Sequence, residues 1–572
     1  MIFNDFKSLK KNLKKDFSKL KKIKLAILGD CSTQLISQAL RGYGYEYGIS
    51  LEIFDADFDQ IKIQVFDTNS DLYNFKPDFI VLIFSSEKLI NNFYKSDEKE
   101  NFASNKVEEI KVIWNTINNN FKSNIINFNF YEINDSIFGN FSNKYDKSFL
   151  YQIRKINFNF MDLAISYNNV FILDICSLQN TFGRNFTHDY RLYISYKMVF
   201  NIDFLPIIAK NILDIIITIQ GNTKKCIILD LDDTLWGGVI GDDGINGIQI
   251  GELGVGKVFS DFQSWLKQLK NRGIILAVCS KNTEEIAKEP FNLHHEMILK
   301  LEDFAVFIAN WEDKPNNIKK IQSILNIGFD SIIFIDDNPF ERNIVKTMIP
   351  DICVPDLPTD PSMYLDFLKS LNLFETVSIS LEDYLRNKSY QNEIKRNDMQ
   401  SILGSIKNYL KNLDMVCINK PFEAFFIPRI AQLTQRSNQF NLRTIRYDQK
   451  DIEVIMQSDK YFTKYFTLND KFGDYGLIGL VILKKDEHHL FIDTLIMSCR
   501  VLKRTMEEFI FNNIVSIAKK NNLNQIIGEY IPTNKNLIVK DFYKDFGFEQ
   551  KNNLWLLDVN KYIIKETFVI SE

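Results

Sequence analysis

The sequence predicts an α/β fold built on parallel strands, and three features in the middle of the chain support this. Apolar runs of strand length recur, each run ends in polar residues, and helical patterns such as residues 258–270 separate them. The runs and their closing residues are 226–229 before Asp230, 274–279 before Ser280, and 331–335 before Asp336. Strands that alternate with helices favour a parallel, doubly wound sheet. We expect ligand-binding groups where these strands end.

The most informative string is Asp-Leu-Asp-Asp-Thr at residues 230–234, between an apolar run and the sequence Trp-Gly-Gly at 236–238. Carboxylates crowded at the end of a buried strand repel one another unless a cation lies among them, usually Mg²⁺. A solvated turn is the simpler interpretation of three acids in four residues. The polar groups that follow in the same segment disfavour it.

Those groups suit a phosphate. Ser280 precedes a helix start, where a hydroxyl and free backbone N–H groups bind anions. Lys314 stands before Pro315, which marks a helix entrance, so its ammonium is expected at the same rim. Asp336 and Asp337 close the last strand. A carboxylate nucleophile meets a dianionic phosphoryl group only if a metal and a lysine neutralise it.

This order of motifs resembles the haloacid dehalogenase (HAD) superfamily of phosphatases. The resemblance implies that Asp230 attacks phosphorus and carries an aspartyl-phosphate intermediate. It implies that Asp232 protonates the leaving oxygen and then activates water. Ser280 and Lys314 are the implied ligands of the phosphoryl oxygens.

The same resemblance implies Mg²⁺ as the cofactor. The metal ligands that it implies are Asp230, Asp232 and Asp336. Asp337 is a possible further carboxylate beside the metal.

Three longer strings resemble the FkbH-like family, and this likeness covers nearly the whole chain. They are Leu-Trp-Gly-Gly-Val-Ile-Gly-Asp-Asp-Gly at 235–244, Asp-Asp-Asn-Pro-Phe-Glu-Arg at 336–342, and Gln-Leu-Thr-Gln-Arg-Ser-Asn-Gln-Phe-Asn-Leu at 432–442. Family members take the glycolytic acyl phosphate 1,3-bisphosphoglycerate, remove phosphate and leave a glyceryl thioester on an acyl carrier protein. Others belong to surface-polysaccharide or natural-product pathways.

The resemblance also predicts the domain organisation of the 572 residues, a length that suits three or four domains. Residues 1–218 are expected to form an SGNH-like α/β domain, and residues 219–375 the HAD-like phosphatase domain. Residues 376–410 are interpreted as a helical connector. Residues 411–572 are expected to form a GNAT-like α+β domain.

Cys31 is the predicted acyl-holding residue. Gly-Asp-Cys-Ser at 29–32 resembles the nucleophile block of SGNH hydrolases, with Cys in place of Ser. The family's Asp-x-x-His motif is incomplete here, since no His follows Asp189 at that spacing, and His188 is only a candidate base. A thiolate accepts an acyl group from an acyl phosphate and passes it on as a thioester. A buried structural Cys is the alternative. Cys279, beside the phosphate site, is the competing thiol, although its strand position favours packing.

The C-terminal string Asp-Phe-Tyr-Lys-Asp-Phe-Gly-Phe at 541–548 resembles the closing pattern of GNAT acyltransferases. In that superfamily an Arg/Gln-x-x-Gly-x-Gly/Ala loop binds the pyrophosphate of acyl-CoA. The corresponding stretch begins at Arg500, a possible site residue, but Lys503 and Thr505 occupy the glycine positions. A GNAT-like fold is expected, and acetyltransferase activity is left open.

The first two dozen residues carry apolar side chains at helical spacing among lysines. This pattern predicts a basic amphipathic helix. We favour packing of its apolar stripe onto the following domain. Contact with a membrane surface and docking of an acidic carrier protein are the alternatives.

Composition limits the remaining possibilities. A net charge of −4 and a pI of about 5.9 give no indication of a nucleic-acid partner. No apolar run approaches the ~20 residues of a transmembrane helix, and no signal peptide is recognised. Seven scattered cysteines show no metal or disulfide spacing, so a cytoplasmic location is expected.

Three functional hypotheses follow. The leading one is a Mg²⁺-dependent enzyme that dephosphorylates a three-carbon acyl unit and passes glyceryl to an acyl carrier protein. The second is a GNAT-type acyltransferase in which the HAD domain is a scaffold. The third is a non-catalytic docking or assembly protein, which the complete set of phosphatase groups disfavours.

Overall fold

The structure, a computed structural model, describes residues 5–379, 405–437, 439–486, 488–533 and 535–572, with residues 384, 392, 396 and 399. The chain divides into two compact units, Met1–Thr218 and Ile219–Glu572. The predicted α/β class is confirmed. The finer domain boundaries at 375 and 410 stay predictions, and most of the connector predicted at 376–410 lies outside the described residues. No helix in the described part of the chain is long and apolar enough to cross a membrane.

The first unit contains a parallel sheet in the order β2-β1-β3-β4-β5. Its strands are β1 (Lys21–Gly29), β2 (Ile49–Asp55), β3 (Phe79–Ile83), β4 (Asn124–Phe128) and β5 (Val170–Leu173). The order reverses direction between β1 and β3, and the carboxyl ends of strands at such a switch point form a crevice.

Helices connect these strands. The α-helices are α1 (Phe6–Asn12), α2 (Gln34–Glu46), α3 (Ile61–Phe66), α4 (Asp71–Phe75), α5 (Ser86–Lys95), α6 (Phe102–Asn120), α7 (Phe149–Ile165), α8 (Ile175–Phe182), α9 (Arg184–Thr187), α10 (Tyr190–Tyr196) and α11 (Leu205–Ile219). Short 3₁₀ turns span Lys99–Asn101, Gly139–Lys144 and Ile202–Phe204. Helix α6 illustrates how these helices pack on the core. Its residues Ile110, Ile113 and Ile117 recur on one face of the helix and are buried.

The predicted N-terminal helix is shorter than its pattern indicates. It ends at Asn12, and β1 already begins at Lys21. Between them, the Asp16 carboxylate accepts a hydrogen bond from the Ser18 backbone N–H at 2.8 Å, a turn that competes with helix. Leu9, one residue of the predicted apolar stripe, is fully buried and its backbone lies against Gly42 of α2.

We predict that Gly42→Ala loosens α1. A Cβ at this position of α2 would collide with the backbone carbonyl of Leu9, so the helices must separate. We expect a loss of about 1–3 kcal/mol in the free energy of unfolding, although Ala normally favours a helix over Gly. Limited trypsin digestion at the N-terminal lysines, with thermal melting, measures the effect. Gly241→Ala is the control, because its Cβ meets nothing within 4 Å, and equal behaviour of the two variants would contradict the contact.

The second unit begins with a parallel sheet in the order β8-β7-β6-β9. Its strands are β6 (Cys226–Leu229), β7 (Ile275–Ser280), β8 (Phe304–Ala309) and β9 (Ile332–Ile335). The α-helices around it are α12 (Ile240–Asp243), α13 (Gly254–Asn271), α14 (Glu284–Leu293), α15 (Lys314–Leu325), α16 (Pro339–Met348) and α17 (Tyr364–Ser370). Short 3₁₀ turns span Leu301–Asp303, Phe329–Ser331 and Pro361–Met363. Alternate residues of β6 pack into separate cores on the two faces, so the sheet is doubly wound as predicted.

A largely antiparallel sheet follows, in the order β16-β17-β15-β14-β13-β12-β10-β18, with β11 beside β12. Its strands are β10 (Val416–Cys417), β11 (Asn419–Lys420), β12 (Tyr461–Asp470), β13 (Gly473–Lys485), β14 (His489–Met497), β15 (Gln525–Glu529), β16 (Glu549–Lys551), β17 (Leu554–Asp558) and β18 (Ile570–Ser571). Its α-helices are α18 (Ile406–Lys411), α19 (Ile427–Arg436), α20 (Gln449–Gln457), α21 (Met506–Lys520) and α22 (Phe542–Asp545). Short 3₁₀ turns span Ala424–Phe426, Cys499–Val501 and Leu537–Val539. β14 and β15 run parallel, with residues 489–491 opposite 525–527.

Candidate active site

The predicted phosphatase residues meet at the switch point of the β8-β7-β6-β9 sheet. Leu229 pairs with Ile335, so the chain leaves β6 and β9 side by side. The Lys314 ammonium, at the start of α15, donates to Asp230 Oδ2 at 2.6 Å and to Asp336 Oδ2 at 2.5 Å.

One carboxylate oxygen from each of Asp230, Asp336 and Asp337 lies within 4.8 Å of the others. We call these three residues the carboxylate cluster. Burial raises the pKa of Asp336 to about 7, with Asp230 adding to the rise and Lys314 opposing it. Burial and Asp230 raise the pKa of Asp337 to about 6. Burial alone would lower the pKa of Lys314, but Asp230 and Asp336 raise it above its usual value.

The cluster has the donor set of a hard divalent cation. Three carboxylates face one ammonium, so the cluster with Lys314 has excess negative charge when all three carboxylates are ionised. Asp230 Oδ1 is buried and has no hydrogen-bond partner among the described residues. Oxygen ligands with excess negative charge are what Mg²⁺ requires. The residues present therefore fit this metal.

Backbone and side-chain bonds hold the cluster in place. The Asp337 N–H donates to Thr234 Oγ1 at 3.1 Å, and the Asn338 N–H donates to Asp336 Oδ1 at 2.9 Å. Arg342 donates to the carbonyls of Asp336 and Asp337 at 2.8 and 2.5 Å. Thr234 and Arg342 are not among the predicted site residues, although both stand inside the motif strings at 230–234 and 336–342.

The side chain of Asp232, which is predicted as a metal ligand, lies outside the carboxylate cluster, because neighbouring donors hold it elsewhere. Asp232 Oδ1 accepts from Trp236 Nε1 at 3.0 Å and from the Ile240 N–H at 2.9 Å, and Oδ2 accepts from Asn282 Nδ2 at 3.0 Å. Asp337 takes its place in the cluster. Burial raises the pKa of Asp232, and the bonds from Ile240 and Trp236 oppose the rise.

Ser280 and Cys279 lie at the end of β7, next to β6. Ser280 is buried on the same edge as Asp230, as predicted, and its carbonyl accepts from the Asn310 N–H at 3.1 Å. Cys279 belongs to the apolar core below the sheet, and burial raises the pKa of its thiol. The Cys279 side chain therefore packs in the apolar core, as its strand position indicated.

In the first unit, the surroundings of Cys31 do not suit an acyl-holding thiol. The side chain is 1% exposed, and burial raises the pKa of the thiol well above its usual value. The neighbouring carboxylates Asp30, Glu87 and Asp55 raise it further. Reactive cysteines need an exposed, electropositive environment that favours the thiolate. The sequence shows only the first of these neighbours, Asp30, because Asp55 and Glu87 come from β2 and α5.

The contacts that the structure describes for His188 do not include Cys31. Burial, with Arg184 adding to the effect, lowers the pKa of His188 to about 3. Its Nδ1 lies 2.7 Å from Thr187 Oγ1, and its ring lies 4.0 Å from that of Tyr131. The described contacts of His188 therefore give it no role as the base of a Cys31 thiol.

The predicted acyl-CoA loop keeps a glycine-like backbone. Lys503 and Thr505 have φ angles of +62° and +60°, in the left-handed region that glycine favours. Arg500 is turned inward, because its guanidinium donates to Ser498 Oγ at 3.2 Å and to the Tyr475 carbonyl at 3.3 Å.

Groups of the chain itself contact this loop. The Lys503 N–H donates to Glu507 Oε1 at 2.9 Å, so a carboxylate lies where a phosphate would accept. Thr567 Oγ1 donates to the Thr505 carbonyl at 3.0 Å, and the Phe568 N–H donates to Thr505 Oγ1 at 3.0 Å. These contacts disfavour a bound pyrophosphate.

Comparison with known proteins identifies the family. The family model described as FkbH, N-terminal domain, matches residues 24–217. A crystal structure of the N-terminal part of the protein BF1531 from Bacteroides fragilis, containing a phosphatase domain complexed with Mg, is 45% identical. The match covers 66% of this chain and 100% of that one, with a TM-score of 0.64. The chain belongs to the FkbH-like family.

Two acetyltransferases match smaller parts of this FkbH-like chain. The ribosomal-protein-S18-alanine N-acetyltransferase from Escherichia coli is 11% identical, with a TM-score of 0.21, over 25% of this chain and 94% of that one. An acetyltransferase of the GNAT family from Staphylococcus aureus Mu50 is 12% identical, with a TM-score of 0.20, over 25% and 99%. A comparison with curated proteins gives no match.

Proposed function

We propose that this FkbH-like protein is a cytoplasmic, Mg²⁺-dependent phosphatase of the HAD type. We propose as its substrate a phosphorylated three-carbon acyl unit, 1,3-bisphosphoglycerate by family likeness, whose glyceryl group passes to an acyl carrier protein. The observation that carries the phosphatase proposal is the buried carboxylate cluster bridged by Lys314. The substrate and the carrier rest on the family resemblance.

The Mg²⁺ would be held by Asp230, Asp336 and Asp337. When bound, it supplies positive charge that offsets the charge of the phosphoryl oxygens. Lys314 and Ser280 bind and orient those oxygens from the neighbouring elements.

Asp230 acts as the nucleophile and Asp232 transfers the protons. A carboxylate oxygen of Asp230 bonds to phosphorus, the bond from phosphorus to the ester oxygen breaks, and Asp232 protonates that oxygen. Water then attacks the aspartyl phosphate, its proton returns to Asp232, and inorganic phosphate leaves. Burial raises the pKa of Asp232, in the direction that suits a general acid.

The two phosphates of 1,3-bisphosphoglycerate leave by different chemistry. The ester phosphate leaves by the hydrolysis just described. The acyl phosphate has a reactive carbonyl, so a carrier thiolate attacks it, a thioester forms and the bond to phosphate oxygen breaks. The burial of Cys31 in acidic surroundings favours direct transfer to the carrier thiol over passage through Cys31.

The test follows both products. Wild-type protein is given 1,3-bisphosphoglycerate and a holo-carrier protein, with phosphate release and carrier mass measured together. We expect phosphate release and a mass gain of one glyceryl group on the carrier. Phosphate release with no loading of the carrier eliminates the transfer step, and no phosphate release eliminates the phosphatase.

The GNAT-type acyltransferase is the second candidate, and the groups around Lys503 and Thr505 disfavour it. It requires acyl-CoA binding and an activity that survives Asp230→Asn. Calorimetric titration with acetyl-CoA separates it from the phosphatase, for which we expect no binding heat. The phosphate-release assay also distinguishes the phosphatase from the third candidate, a non-catalytic docking protein, which would release no phosphate.

We predict that Asn282→Ala impairs protonation of the leaving group. The substitution removes the donor to Asp232 Oδ2, a bond worth about 1 kcal/mol, so turnover falls roughly 5–10-fold. The loss is expected with alkyl phosphates, whose leaving oxygen needs a proton, and is smaller with aryl phosphates of low leaving-group pKa. Steady-state kinetics with both substrate classes measure the difference. Asn316→Ala, at an exposed cap of α15, is the control, and an equal loss with both classes would contradict the role.

A further inference from the structure

Five buried side-chain polar atoms in the described part of the first unit have no hydrogen-bond partner, and two of them are Gln38 Oε1 and Ser142 Oγ. The other three are Glu87 Oε2, Tyr131 Oη and His188 Nε2. Glu87 and Tyr131 are 7% and 1% exposed. An unpaired buried polar group costs free energy, so such groups are retained where a ligand or water satisfies them.

The three groups belong to one edge of the β2-β1-β3-β4-β5 sheet. Glu87 follows β3 in the first turn of α5, and Tyr131 follows β4. Ser86 Oγ, next to Glu87, donates to the Tyr131 carbonyl at 2.7 Å, and the Tyr131 ring lies 4.0 Å from the His188 ring. Asp30, after β1, accepts from the Ser85 N–H at 2.7 Å. This is the switch point of the sheet, where α/β folds bind ligands.

The hydrogen-bond network shows which atoms are acceptors. Thr187 Oγ1 donates to the carbonyl of Gly183 or Arg184, at 3.1 and 3.2 Å. With that proton assigned to one of these carbonyls, the 2.7 Å contact with His188 is assigned as a bond donated by Nδ1–H. His188 Nε2 then carries a lone pair and accepts. Glu87 Oε2 also accepts, and the Tyr131 hydroxyl both donates and accepts.

The carboxylates near these groups disfavour an anionic ligand. Asp30, Asp55 and Glu87 surround Cys31 closely enough to raise the pKa of its thiol, after burial itself. The Arg184 guanidinium, which lowers the pKa of Glu87 in opposition to the larger effect of burial, donates Nη1 to the Glu132 carbonyl at 2.8 Å. A phosphate or carboxylate ligand would meet carboxylates and a histidine lone pair.

We propose that Glu87, Tyr131 and His188 form a binding site for a small neutral polyol, which donates hydroxyl protons to Glu87 and His188. The chemical class follows from the acceptors and the negative surroundings. Assigning the ligand as the hydroxyl groups of a glyceryl unit rests on the proposed function. The site would then hold the three-carbon unit by its hydroxyl groups rather than through a Cys31 thioester.

Ligand-observed NMR on the full chain tests the site with glycerol, 1,2-propanediol and 1-propanol as probes. We expect affinity to fall at least fivefold with each hydroxyl removed, and inorganic phosphate not to displace glycerol. Equal binding of the three probes overturns the proposal. Displacement by phosphate also overturns it, because it assigns the glycerol to the phosphatase site. No step depends on phosphate hydrolysis, so the outcome is separate from that of the proposed function.

Two variants separate binding from folding. Tyr131→Phe and Glu87→Met remove unpaired groups, so we expect glycerol affinity to fall at least fivefold while the melting temperature stays equal or rises. A purely structural role predicts a lower melting temperature instead. Tyr94→Phe, which removes an exposed hydroxyl bonded to Asp135, is the control and should bind glycerol as wild type. Unchanged glycerol affinity in Tyr131→Phe shows that glycerol binds elsewhere, and overturns the proposal.

Discussion

Replacing Lys314 with Met is expected to abolish phosphate release and to destabilise the Mg²⁺-free protein. The ammonium is 3% exposed and is bonded to both Asp230 and Asp336, so the variant leaves buried carboxylates without their cation. Breaking such a pair from one side costs about 3–5 kcal/mol of unfolding free energy. Turnover should fall at least about 10³-fold, because a charge that stabilises the transition state is lost. Urea unfolding in chelator and a phosphate-release assay measure the two effects.

Lys320→Met is the matched control for this variant. Lys320 lies on the same helix α15, but its ion pair with Glu312 is half exposed, and such pairs contribute little. We expect near wild-type stability and activity. Saturating Mg²⁺ should restore part of the stability of Lys314→Met without its activity. A Lys314→Met protein as stable and as active as the control would contradict the assigned role of the ammonium.

Replacing Asp230 with Asn is expected to have the opposite effect on stability. Turnover should fall by about 10⁴-fold or more, because the amide does not replace a carboxylate nucleophile. The Mg²⁺-free variant, however, lacks one of three mutually repelling carboxylates. In the wild type, Asp230 Oδ1 has no hydrogen-bond partner in the described structure. We expect the free energy of unfolding to stay equal or to rise by roughly 1 kcal/mol. Urea unfolding in chelator and single-turnover kinetics test both parts.

Asp233→Asn is the control for this second prediction. Asp233 is exposed in the same loop, and its carboxylate accepts from the Gly238 N–H at 2.8 Å, outside the carboxylate cluster. We expect little change in activity. Loss of stability in Asp230→Asn would contradict the repulsion between Asp230 and the other two carboxylates. Turnover close to that of the control would contradict the role of Asp230 as the nucleophile.

The sequence was sufficient to predict how the residues of the candidate active site are arranged. Each motif follows an apolar run of strand length, and parallel strands bring their carboxyl ends to one edge. This is why Asp230, Lys314 and Asp336 meet as expected, although more than eighty residues separate the first two. Pro315 likewise marked the start of α15 correctly, because it suits the first turn of a helix.

Side-chain orientation was not predictable in the same way. The Asp232 side chain lies outside the carboxylate cluster because Trp236, Ile240 and Asn282 donate to it, and Asn282 reaches it from the loop after β7. The end of α1 depends on where β1 begins. The acidic surroundings of Cys31 include the preceding residue, Asp30, but Asp55 and Glu87 come from β2 and α5, so spacing along the chain does not reveal those two.

Mg²⁺ titration calorimetry on four proteins tests the carboxylate cluster most directly. The proteins are wild type, Asp336→Asn, Asp337→Asn and Asp232→Asn. We predict that the Asp336 and Asp337 variants each lose at least about tenfold in Mg²⁺ affinity, while Asp232→Asn changes it less than about threefold. Wild-type affinity in Asp337→Asn, together with lost binding in Asp232→Asn, would contradict the assignment of the metal to the carboxylate cluster.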